Sequence, residues 1–307
     1  MGSLSVKHLI SINDLSRVDI EKIFEKSKEL KEKLKKEISH EELKGKTLAM
    51  IFEKPSTRTR ASFEIAMTQL GGHAMFLSQN DLQLGRGESI ADTAKVLSRY
   101  ADAIMARTYQ HETLLELAKN SSVPVINGLS DFEHPCQILG DLFSIIEHKG
   151  SLENLKLAWT GDGNNVCNSL IYSCAKLGIE LSVATPKKYK PSEKVWKNIG
   201  SYAKSKISWT ENLKEAVKNS DVIFTDTWVS MGQEKEKTKR LKIFKPYQVN
   251  EKLAKNAKPD YLFMHCLPAY RGYEVTADII DGPHSIVLDE AENRLHVQKG
   301  ILALLLK

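Results

Sequence analysis

Short apolar runs alternate with amphipathic segments along almost the whole chain, and this alternation restricts the fold more than any other feature. Each run has the length of a buried strand, and each amphipathic segment repeats its apolar residues at helical spacing. The predicted strands are residues 47–52, 73–78, 102–107, 123–127, 155–160, 179–184, 206–209, 222–225 and 261–264. The predicted helices include residues 21–36, 61–70, 88–100, 111–119 and 134–149. This order predicts an α/β fold built on parallel sheets.

The chain has 307 residues, which is enough for two domains of ordinary size. Helix 134–149 is predicted to end at Gly150, so we place one domain at residues 1–149 and the other at 150–290. Each is predicted to be a parallel sheet flanked by helices. The apolar-rich segment 291–307 is predicted to be a terminal helix that packs back on the first domain. The polar stretch 232–240 contains no expected core residue, so we predict a mobile surface loop that could act as a lid.

Composition excludes several classes of function. No apolar run approaches the roughly 20 residues that span a bilayer, and the first residues lack an apolar signal core. Four cysteines are too few for a disulfide framework in this chain, which favours reduced thiols and a cytoplasmic location. The net charge of +5 suits anionic substrates but is too small for a nucleic-acid-binding surface. We therefore predict neither a membrane nor a nucleic-acid partner.

The segment from Phe52 to Arg60, Phe-Glu-Lys-Pro-Ser-Thr-Arg-Thr-Arg, joins a predicted strand to a predicted helix. Backbone N–H groups at a helix start face an anion, and hydroxyl and guanidinium groups add donors matched to phosphate oxygens. Serine and threonine are also ordinary helix caps. Three hydroxyls and two arginines in five consecutive residues nevertheless favour a phosphate site. The Walker lysine motif is absent, so a nucleoside triphosphate is not implied.

Two further motifs follow predicted strands, where ligands bind in open parallel sheets. His134 opens a helix, and Gln137 lies one turn later on the same face, so both could reach one ligand. The segment from Asp226 to Gly232 combines a carboxylate, a hydroxyl and a flexible glycine, which suits the ammonium and carboxylate groups of an amino acid. A structural histidine and an Asx turn are the ordinary explanations of the same patterns.

Two other patterns point to different chemistry. The sequence from Gly161 to Val166 resembles a dinucleotide-binding turn, although Val166 replaces the third glycine, and a nicotinamide-binding dehydrogenase or a regulatory binding module is the alternative. His265 and Cys266 suggest zinc, but adjacent residues on an extended chain point to opposite sides, and no metal-binding spacing occurs. We therefore predict no cofactor and no metal.

Four motifs, in this order along the chain, resemble those of the ornithine carbamoyltransferases within the aspartate/ornithine carbamoyltransferase superfamily. They are Ser56 to Arg60, His134 to Gln137, Asp226 to Gly232 and His265 to Pro268. The first two are shared with the aspartate branch, and the last two resemble the ornithine branch specifically. The resemblance spans nearly the whole chain. It implies transfer of the carbamoyl group of carbamoyl phosphate to the δ-amine of L-ornithine, giving L-citrulline and phosphate through a tetrahedral intermediate.

The resemblance also implies roles for individual residues. Domain 1–149 would bind carbamoyl phosphate, and domain 150–290 would bind ornithine. The implied carbamoyl-phosphate residues are Ser56, Thr57, Arg58, Thr59, Gln83, Arg107, His134, Gln137, Cys266, Leu267 and Arg294. The implied ornithine residues are Asn165, Asp226, Ser230 and Met231, and the implied catalytic residues are Arg107, His134 and Cys266. The resemblance implies a homotrimer in which Gln83 serves a neighbouring subunit's site.

The residue types support this chemistry. Attack of an amine develops charge on the carbamoyl oxygen, where Thr59, Arg107 and His134 can donate, and loss of one such donor typically costs about 3 kcal/mol. Asp226 would favour the ammonium form of the reacting amine if it faced that group, so we assign Asp226 to the α-ammonium group of ornithine.

A related carbamoyltransferase for aspartate or putrescine is the nearest alternative. Aspartate would need cations for its extra carboxylate, whereas the motif offers Asp226. Putrescine has no α-substituents for Asp226 and Ser230 to contact. The sequence leaves open whether the enzyme works towards citrulline or in the reverse direction, and whether trimers assemble further.

Overall fold

The computed structural model describes residues 3–82, 87–230 and 232–306 of the chain. These residues pack into two compact units. Unit 1 holds the described residues up to Phe143 together with those from Glu292 onward, and unit 2 is Ser144–Ala291. Both divisions fall within helices, so the chain passes from one unit to the other along Pro135–Lys149 and again along Val287–Leu305.

Unit 1 is built on a parallel sheet of four strands in the spatial order β2-β1-β3-β4. The strands are β1 Thr47–Phe52, β2 His73–Ser78, β3 Ala103–Arg107 and β4 Val125–Leu129. The helices that begin in this unit are α1 Arg17–Lys35, α2 Thr57–Gln69, α3 Ile90–Tyr100, α4 His111–Asn120 and α5 Pro135–Lys149, with short 3-10 helices at Ile12–Asp14 and Gln79–Asp81. The central strands β1 and β3 are buried along nearly their whole length because helices cover both faces of a parallel sheet.

Unit 2 is built on a parallel sheet of five strands in the order β7-β6-β5-β8-β9. The strands are β5 Lys156–Thr160, β6 Glu180–Ala184, β7 Ile207–Thr210, β8 Val222–Thr225 and β9 Leu262–His265. The helices that begin in this unit are α6 Asn165–Leu177, α7 Glu193–Asn198, α8 Ser201–Lys206, α9 Leu213–Val217, α10 Lys237–Phe244, α11 Glu251–Ala254, α12 Ala277–Ile280 and α13 Val287–Leu305, with 3-10 helices at Lys187–Tyr189, Glu234–Glu236 and Lys245–Tyr247. Ala158, Ile223 and Phe263 of three neighbouring strands share its core.

Side-chain caps fix where the helices after the central strands begin. Ser56 precedes α2, and its Oγ accepts the Thr59 N–H at 3.3 Å. Asn164 precedes α6, and its Oδ1 accepts the N–H groups of Val166 at 3.0 Å and Cys167 at 3.1 Å. A cap of this kind contributes about 1 kcal/mol and satisfies N–H groups that the first helical turn leaves open. Because α2 follows β1 and α6 follows β5, both helix starts lie at the carboxyl edge of their sheet.

The predicted fold class is confirmed, with two parallel-sheet units flanked by helices and a C-terminal helix whose residues from Glu292 onward belong to unit 1. Every predicted strand is present, and strand bounds differ from the prediction by two residues at most. Helix α2 begins at Thr57 rather than at residue 61, so Thr57 to Arg60 form its first turn.

The prediction for residues 232–240 was wrong. The segment contains the 3-10 helix Glu234–Glu236 and the start of α10 rather than a loop without core residues. Arg240 is 3% exposed, its guanidinium pairs with Asp162, and its Nε donates to the Trp228 carbonyl. Two aromatic rings also lie against the guanidinium. Asp162, Tyr189 and Trp228 lie outside this segment, so the local polar composition does not reveal that Arg240 is buried.

Two observations bear on the environment of the chain. Within the described ranges, no helix combines the length and apolarity that a membrane span requires. All four cysteines lie in those ranges, and none of them forms a disulfide.

Helix α13 approaches α1 closely inside unit 1. A Cβ atom on Gly300 would lie 2.4 Å from Ser27 Oγ and 3.0 Å from the carbonyl oxygen of Ile23. One residue earlier, Lys299 is fully buried, and its Nζ donates to Gln69 Oε1 at 2.9 Å. Glycine is a poor helix former, so its presence here is explained by this close approach.

Replacing Gly300 with alanine should lower the free energy of unfolding by about 1–3 kcal/mol, because the added methyl group forces the backbone of α1 to shift. Urea unfolding curves measure this difference. The matched control is Gly200→Ala, since a Cβ on Gly200 meets no atom within 4 Å. Equal destabilisation by the two substitutions would contradict the close packing of α13 on α1.

Candidate active site

In unit 1 the predicted site residues gather where the order of the strands reverses. The sheet extends from β1 to β2 on one side and from β3 to β4 on the other, so the reversal lies between β1 and β3. At its carboxyl end Phe52 is paired with Arg107, the last residue of β3. At such a point the connections that follow the two neighbouring strands run to opposite sides of the sheet, which opens a crevice in which ligands bind. The start of α2 lies beyond β1 at this same point.

A single guanidinium joins the start of α2 to the start of α5. Arg294 Nη2 donates to Thr59 Oγ1 at 3.1 Å, and Nη1 donates to Gln137 Oε1 at 2.7 Å. Nη1 also lies 3.4 Å from His134 Nε2. The prediction that His134 and Gln137 share one face is confirmed by this common partner. All four side chains are buried, so three distant segments of sequence build one enclosed polar cluster.

The imidazole of His134 lies among positive charges. Burial lowers its pKa well below the ordinary value, and the positive charges of Arg294, Arg107, Lys54 and Arg58 lower the pKa further, in that order. The imidazole is therefore neutral at pH 7 and keeps one N–H to donate. Cations concentrated around neutral donors create a positive potential, which suits a small, strongly charged anion.

Lys54 is a candidate site residue that the sequence analysis missed. Lysine in a polar loop is usually solvated, but Lys54 is 8% exposed, and its Nζ lies 5.0 Å from the centre of the Tyr109 ring. Burial and the neighbouring Arg107 guanidinium lower the pKa of Lys54 to about 8. A buried lysine with a lowered pKa is typical of a functional site. Its position two residues after β1 is the sequence signal that could have identified it.

The other members of the motif are more exposed. Ser56 and Arg58 are half-buried and Thr57 is exposed. Arg60 is exposed as well, pairs with Glu64 Oε1 at 2.9 Å and stacks on a phenylalanine ring. The second arginine of the motif therefore stabilises the surface of α2. Gln83, which the sequence analysis assigned to a neighbouring subunit's site, lies outside the described residues.

In unit 2 the strand order reverses between β5 and β8, where Thr160 pairs with Thr225. Asn164 follows β5, and Asp226 follows β8. Asn164 Nδ2 donates to Asp226 Oδ2 at 2.6 Å, and the Cys266 thiol donates to Asp226 Oδ1 at 3.1 Å. One buried carboxylate thus contacts residues that follow two other strands. Asn164 was absent from the predicted binding residues, although its position before a helix marks it as a cap.

The remaining predicted residues of unit 2 lie nearby in sequence. Asn165 is half-buried and is the first residue of α6. Ser230 is half-buried, and its backbone N–H donates to Gln233 Oε1 at 3.1 Å. Met231 lies outside the described residues.

The chain turns sharply after β9. Leu267 has a φ of +56°, a conformation that residues other than glycine rarely adopt. Ligand atoms of Asp226, His265 and Cys266 lie within 4.8 Å of one another. The argument that alternation on an extended chain keeps the His265 and Cys266 side chains apart was therefore wrong. His265 Nδ1 accepts the Leu267 N–H at 2.9 Å, so that lone pair serves the turn itself. The absence of a metal stays a prediction.

The glycines of the dinucleotide-like segment have structural explanations. Gly161 has a φ of +115°, and a Cβ on Gly163 would lie 2.3 Å from the backbone nitrogen of Pro191. Asp162, between them, pairs with Arg240. A left-handed turn and a close backbone approach therefore explain this glycine pattern without reference to a nucleotide.

Comparison with known proteins agrees with this arrangement. The aspartate/ornithine carbamoyltransferase carbamoyl-P binding domain matches residues 7–147, and the Asp/Orn binding domain of the same family matches residues 153–305. The chain is 56% identical to the ornithine carbamoyltransferase of Carboxydothermus hydrogenoformans over 310 residues, which cover 100% of this chain and 99% of that protein. It is 57% identical to the ornithine carbamoyltransferase of Pyrococcus abyssi over 307 residues, which cover 99% of this chain and 97% of that protein.

The fold comparison gives the same result. The solved structure of ornithine carbamoyltransferase from Pyrococcus furiosus matches with a TM-score of 0.96 at 55% sequence identity, covering 100% of this chain and 99% of that chain. The chain therefore belongs to the aspartate/ornithine carbamoyltransferase family and is a carbamoyltransferase enzyme.

Proposed function

We propose that the chain transfers the carbamoyl group of carbamoyl phosphate to the δ-amine of L-ornithine, giving L-citrulline and phosphate. The observation that carries this proposal is the pair of polar clusters at the two strand-order reversals. The cluster in unit 1 is rich in cations, and the cluster in unit 2 is centred on the Asp226 carboxylate. Unit 1 suits an anionic carbamoyl donor, and unit 2 suits an amino-acid acceptor.

Carbamoyl phosphate binds in unit 1 at the start of α2. Its phosphate accepts hydrogen bonds from the backbone and hydroxyls of Ser56 to Thr59 and from Arg58, and the positive end of the helix faces it. Lys54 adds a further buried cation close to Arg107. Phosphate is therefore already neutralised when it leaves, which lowers the barrier for breaking its bond to the carbamoyl carbon.

The carbamoyl group lies against the donors that meet around Arg294. The neutral imidazole of His134, the Thr59 hydroxyl and the Arg107 guanidinium donate to the carbonyl oxygen as it gains negative charge. Gln137 Oε1 accepts from Arg294 at 2.7 Å and its Nε2 donates to Asp141 Oδ1 at 2.7 Å, so the amide has a fixed orientation and the second lone pair of Oε1 accepts from the carbamoyl NH2 group. Donors held in place before the reaction need no reorganisation as charge develops, and each typically contributes about 3 kcal/mol.

Ornithine binds in unit 2 by its α-substituents. Asp226 takes the α-ammonium group, while Asn165, Ser230 and Met231 take the α-carboxylate side. The thiol of Cys266 is 3.1 Å from the Asp226 carboxylate, and we assign the δ-amine to the side of this thiol. Aspartate would bring a second carboxylate towards Asp226, and putrescine has no α-ammonium group for it, so ornithine is the acceptor that fits this cluster best.

Three further features belong to this proposal. Residues 1–149 with the terminal helix 291–307 form the carbamoyl-phosphate domain, and residues 150–290 form the ornithine domain. The enzyme works as a cytoplasmic homotrimer in which Gln83 completes the site of a neighbouring subunit. The reaction needs neither a cofactor nor a metal, because positioning and hydrogen-bond donors supply the catalysis.

A citrulline assay tests the proposed function directly. With carbamoyl phosphate present, L-ornithine should be carbamoylated at least about 100-fold faster than aspartate or putrescine. Arg58→Ala should raise the KM for carbamoyl phosphate about 10- to 100-fold and leave the ornithine KM nearly unchanged, because one charged hydrogen bond is lost. Asp226→Asn should raise the KM for ornithine by a similar factor and leave the KM for carbamoyl phosphate nearly unchanged. Faster carbamoylation of another amine would reassign the substrate.

The rate should rise with pH because the free amine is the nucleophile. A side-chain ammonium with a pKa near 10.4 is deprotonated in only about one molecule in 2,500 at pH 7. At saturating carbamoyl phosphate, kcat/KM for ornithine should therefore rise about tenfold per pH unit between pH 7 and 9. Steady-state kinetics across this range measure the slope. A flat profile with chemistry limiting would show that the enzyme itself deprotonates the amine.

Carbamoyl phosphate affinity should fall at high pH because of Lys54. Its pKa in the free protein is about 8, and a bound dianion raises that pKa, so binding takes up a proton once the pH exceeds 8. The dissociation constant of phosphonoacetamide, a stable analogue, should therefore rise about tenfold between pH 7.5 and 9.5. In the Lys54→Arg variant, whose side chain stays charged, the dissociation constant should change little over the same pH range. Equal slopes in both proteins would remove Lys54 from the site.

A further inference from the structure

Glu274 is a buried carboxylate behind the turn that carries Cys266. It is fully buried, and its Oε1 accepts the Tyr270 N–H at 2.5 Å and lies 3.3 Å from His265 Nε2. Its Oε2 is buried and has no hydrogen-bond partner among the described residues. Carboxylates are rarely buried without a partner, because removing their charge from water is costly.

The hydrogen bonds around His265 define its protonation. The Leu267 N–H can only donate, so His265 Nδ1, at 2.9 Å, must hold a lone pair. The proton of the neutral ring is then on Nε2, which faces Glu274 Oε1. The carboxylate is an acceptor in this arrangement and stabilises this tautomer over the other. The backbone N–H of His265 is held separately by Glu290 Oε2 at 2.9 Å, so the end of β9 is itself fixed.

The His265 tautomer with its proton on Nε2 stabilises the turn that follows β9. Leu267 is held at a φ of +56°, and its N–H is bonded to His265 Nδ1. If the proton moved to Nδ1, two N–H groups would face each other and the turn would lose this contact. The peptide that joins Cys266 to Leu267 would then reorient, and the Cys266 thiol would leave its position 3.1 Å from Asp226.

We propose that Glu274 is a positioning residue for the ornithine half of the reaction. It acts through His265, whose tautomer it selects, and so holds the Cys266–Leu267 turn with the thiol against Asp226. By accepting the Tyr270 N–H as well, the same carboxylate fastens both ends of the segment from His265 to Tyr270. This inference rests on the proposed function for its catalytic consequence and on geometry alone for its structural part.

Two readouts separate positioning from general stability. The first is the split between the kinetic constants of the two substrates, because carbamoyl phosphate is assigned to residues of unit 1. The second is the alkylation rate of Cys266 by iodoacetamide without substrates. Cys266 is partly exposed, whereas the other three cysteines are fully buried, so alkylation of the folded protein reports on this thiol, and Cys266→Ser supplies the blank.

The test substitution is Glu274→Met, which keeps the length of the side chain and removes the acceptor. It should lower kcat/KM for ornithine at least about tenfold, mainly through kcat, with the affinity for phosphonoacetamide unchanged within about twofold. Cys266 should be alkylated at least about threefold faster, because its thiol is released from the carboxylate. Glu274→Gln keeps an acceptor oxygen and should stay within about threefold of the wild type in both readouts.

Asp221→Asn is the matched control. Asp221 is a buried carboxylate at the opposite end of β8, where it accepts the Lys156 N–H at 2.9 Å and pairs with Lys258 at 2.7 Å. This variant should lose stability without changing ornithine kinetics or the alkylation rate. Should Glu274→Met fail to fold, Glu274→Asp withdraws the carboxylate by one methylene group and should show the same pattern as the methionine variant.

Three results would overturn the proposal. The first is a folded Glu274→Met or Glu274→Asp protein with wild-type ornithine kinetics and a wild-type alkylation rate. The second is a Glu274→Gln protein that is as impaired as the methionine variant. The third is an Asp221→Asn protein with the same fall in kcat/KM for ornithine. If the wild type forms no citrulline at all, the proposed function fails instead. The alkylation rates, measured without substrates, still decide whether Glu274 holds the turn.

Discussion

The reversal of strand order in each sheet is the constraint on which the rest of this protein depends. In both units two adjacent parallel strands send their connections to opposite sides, between β1 and β3 in unit 1 and between β5 and β8 in unit 2. A helix begins directly beyond the first strand of each pair, with Ser56 or Asn164 as its cap. Backbone donors and room for a ligand therefore occur together before any special side chain is considered.

The two reversals carry different electrostatics, and the proposed placement of the two substrates rests on this difference. In unit 1, buried cations surround a neutral histidine, an arrangement that would be unfavourable without an anion. In unit 2, one carboxylate accepts hydrogen bonds from an asparagine and a thiol. Carbamoyl phosphate, an anionic mixed anhydride, and an amino acid with its ammonium group have the complementary charges. In unit 1, the burial of Lys54 with a lowered pKa costs stability.

The parts of the structure that could be predicted from sequence are those set by local chemistry. Buried strands are apolar runs, so β1 and β8 were predicted to the residue. The donors at the start of α2 follow from a hydroxyl-rich segment after a strand. These motifs are continuous in sequence, and the capping and burial that they need are local.

The parts that could not be predicted depend on partners far away in sequence. Arg240 is buried only because Asp162 and the Trp228 carbonyl receive its guanidinium, so a polar stretch became a helix with a core residue. Lys54 and Glu274 belong to residue types that are usually solvated, and for Glu274 nothing adjacent in sequence indicates burial. Ligand atoms of the adjacent residues His265 and Cys266 lie within 4.8 Å of each other at the end of β9, which the alternation of an extended strand does not predict.

The contact between Arg294 and Thr59 has a consequence for how the protein is made. The two residues are separated by 235 positions, and Arg294 is separated from His134 by 160. A ribosome therefore synthesises the strands and helices of unit 1, and then all of unit 2, before the guanidinium that ties Thr59 to Gln137 exists. Contacts of such long range form late and slowly. The nascent chain therefore carries its cluster of cations without the Arg294 contacts for most of its synthesis, and the link between Thr59 and Gln137 forms only near the end of biogenesis.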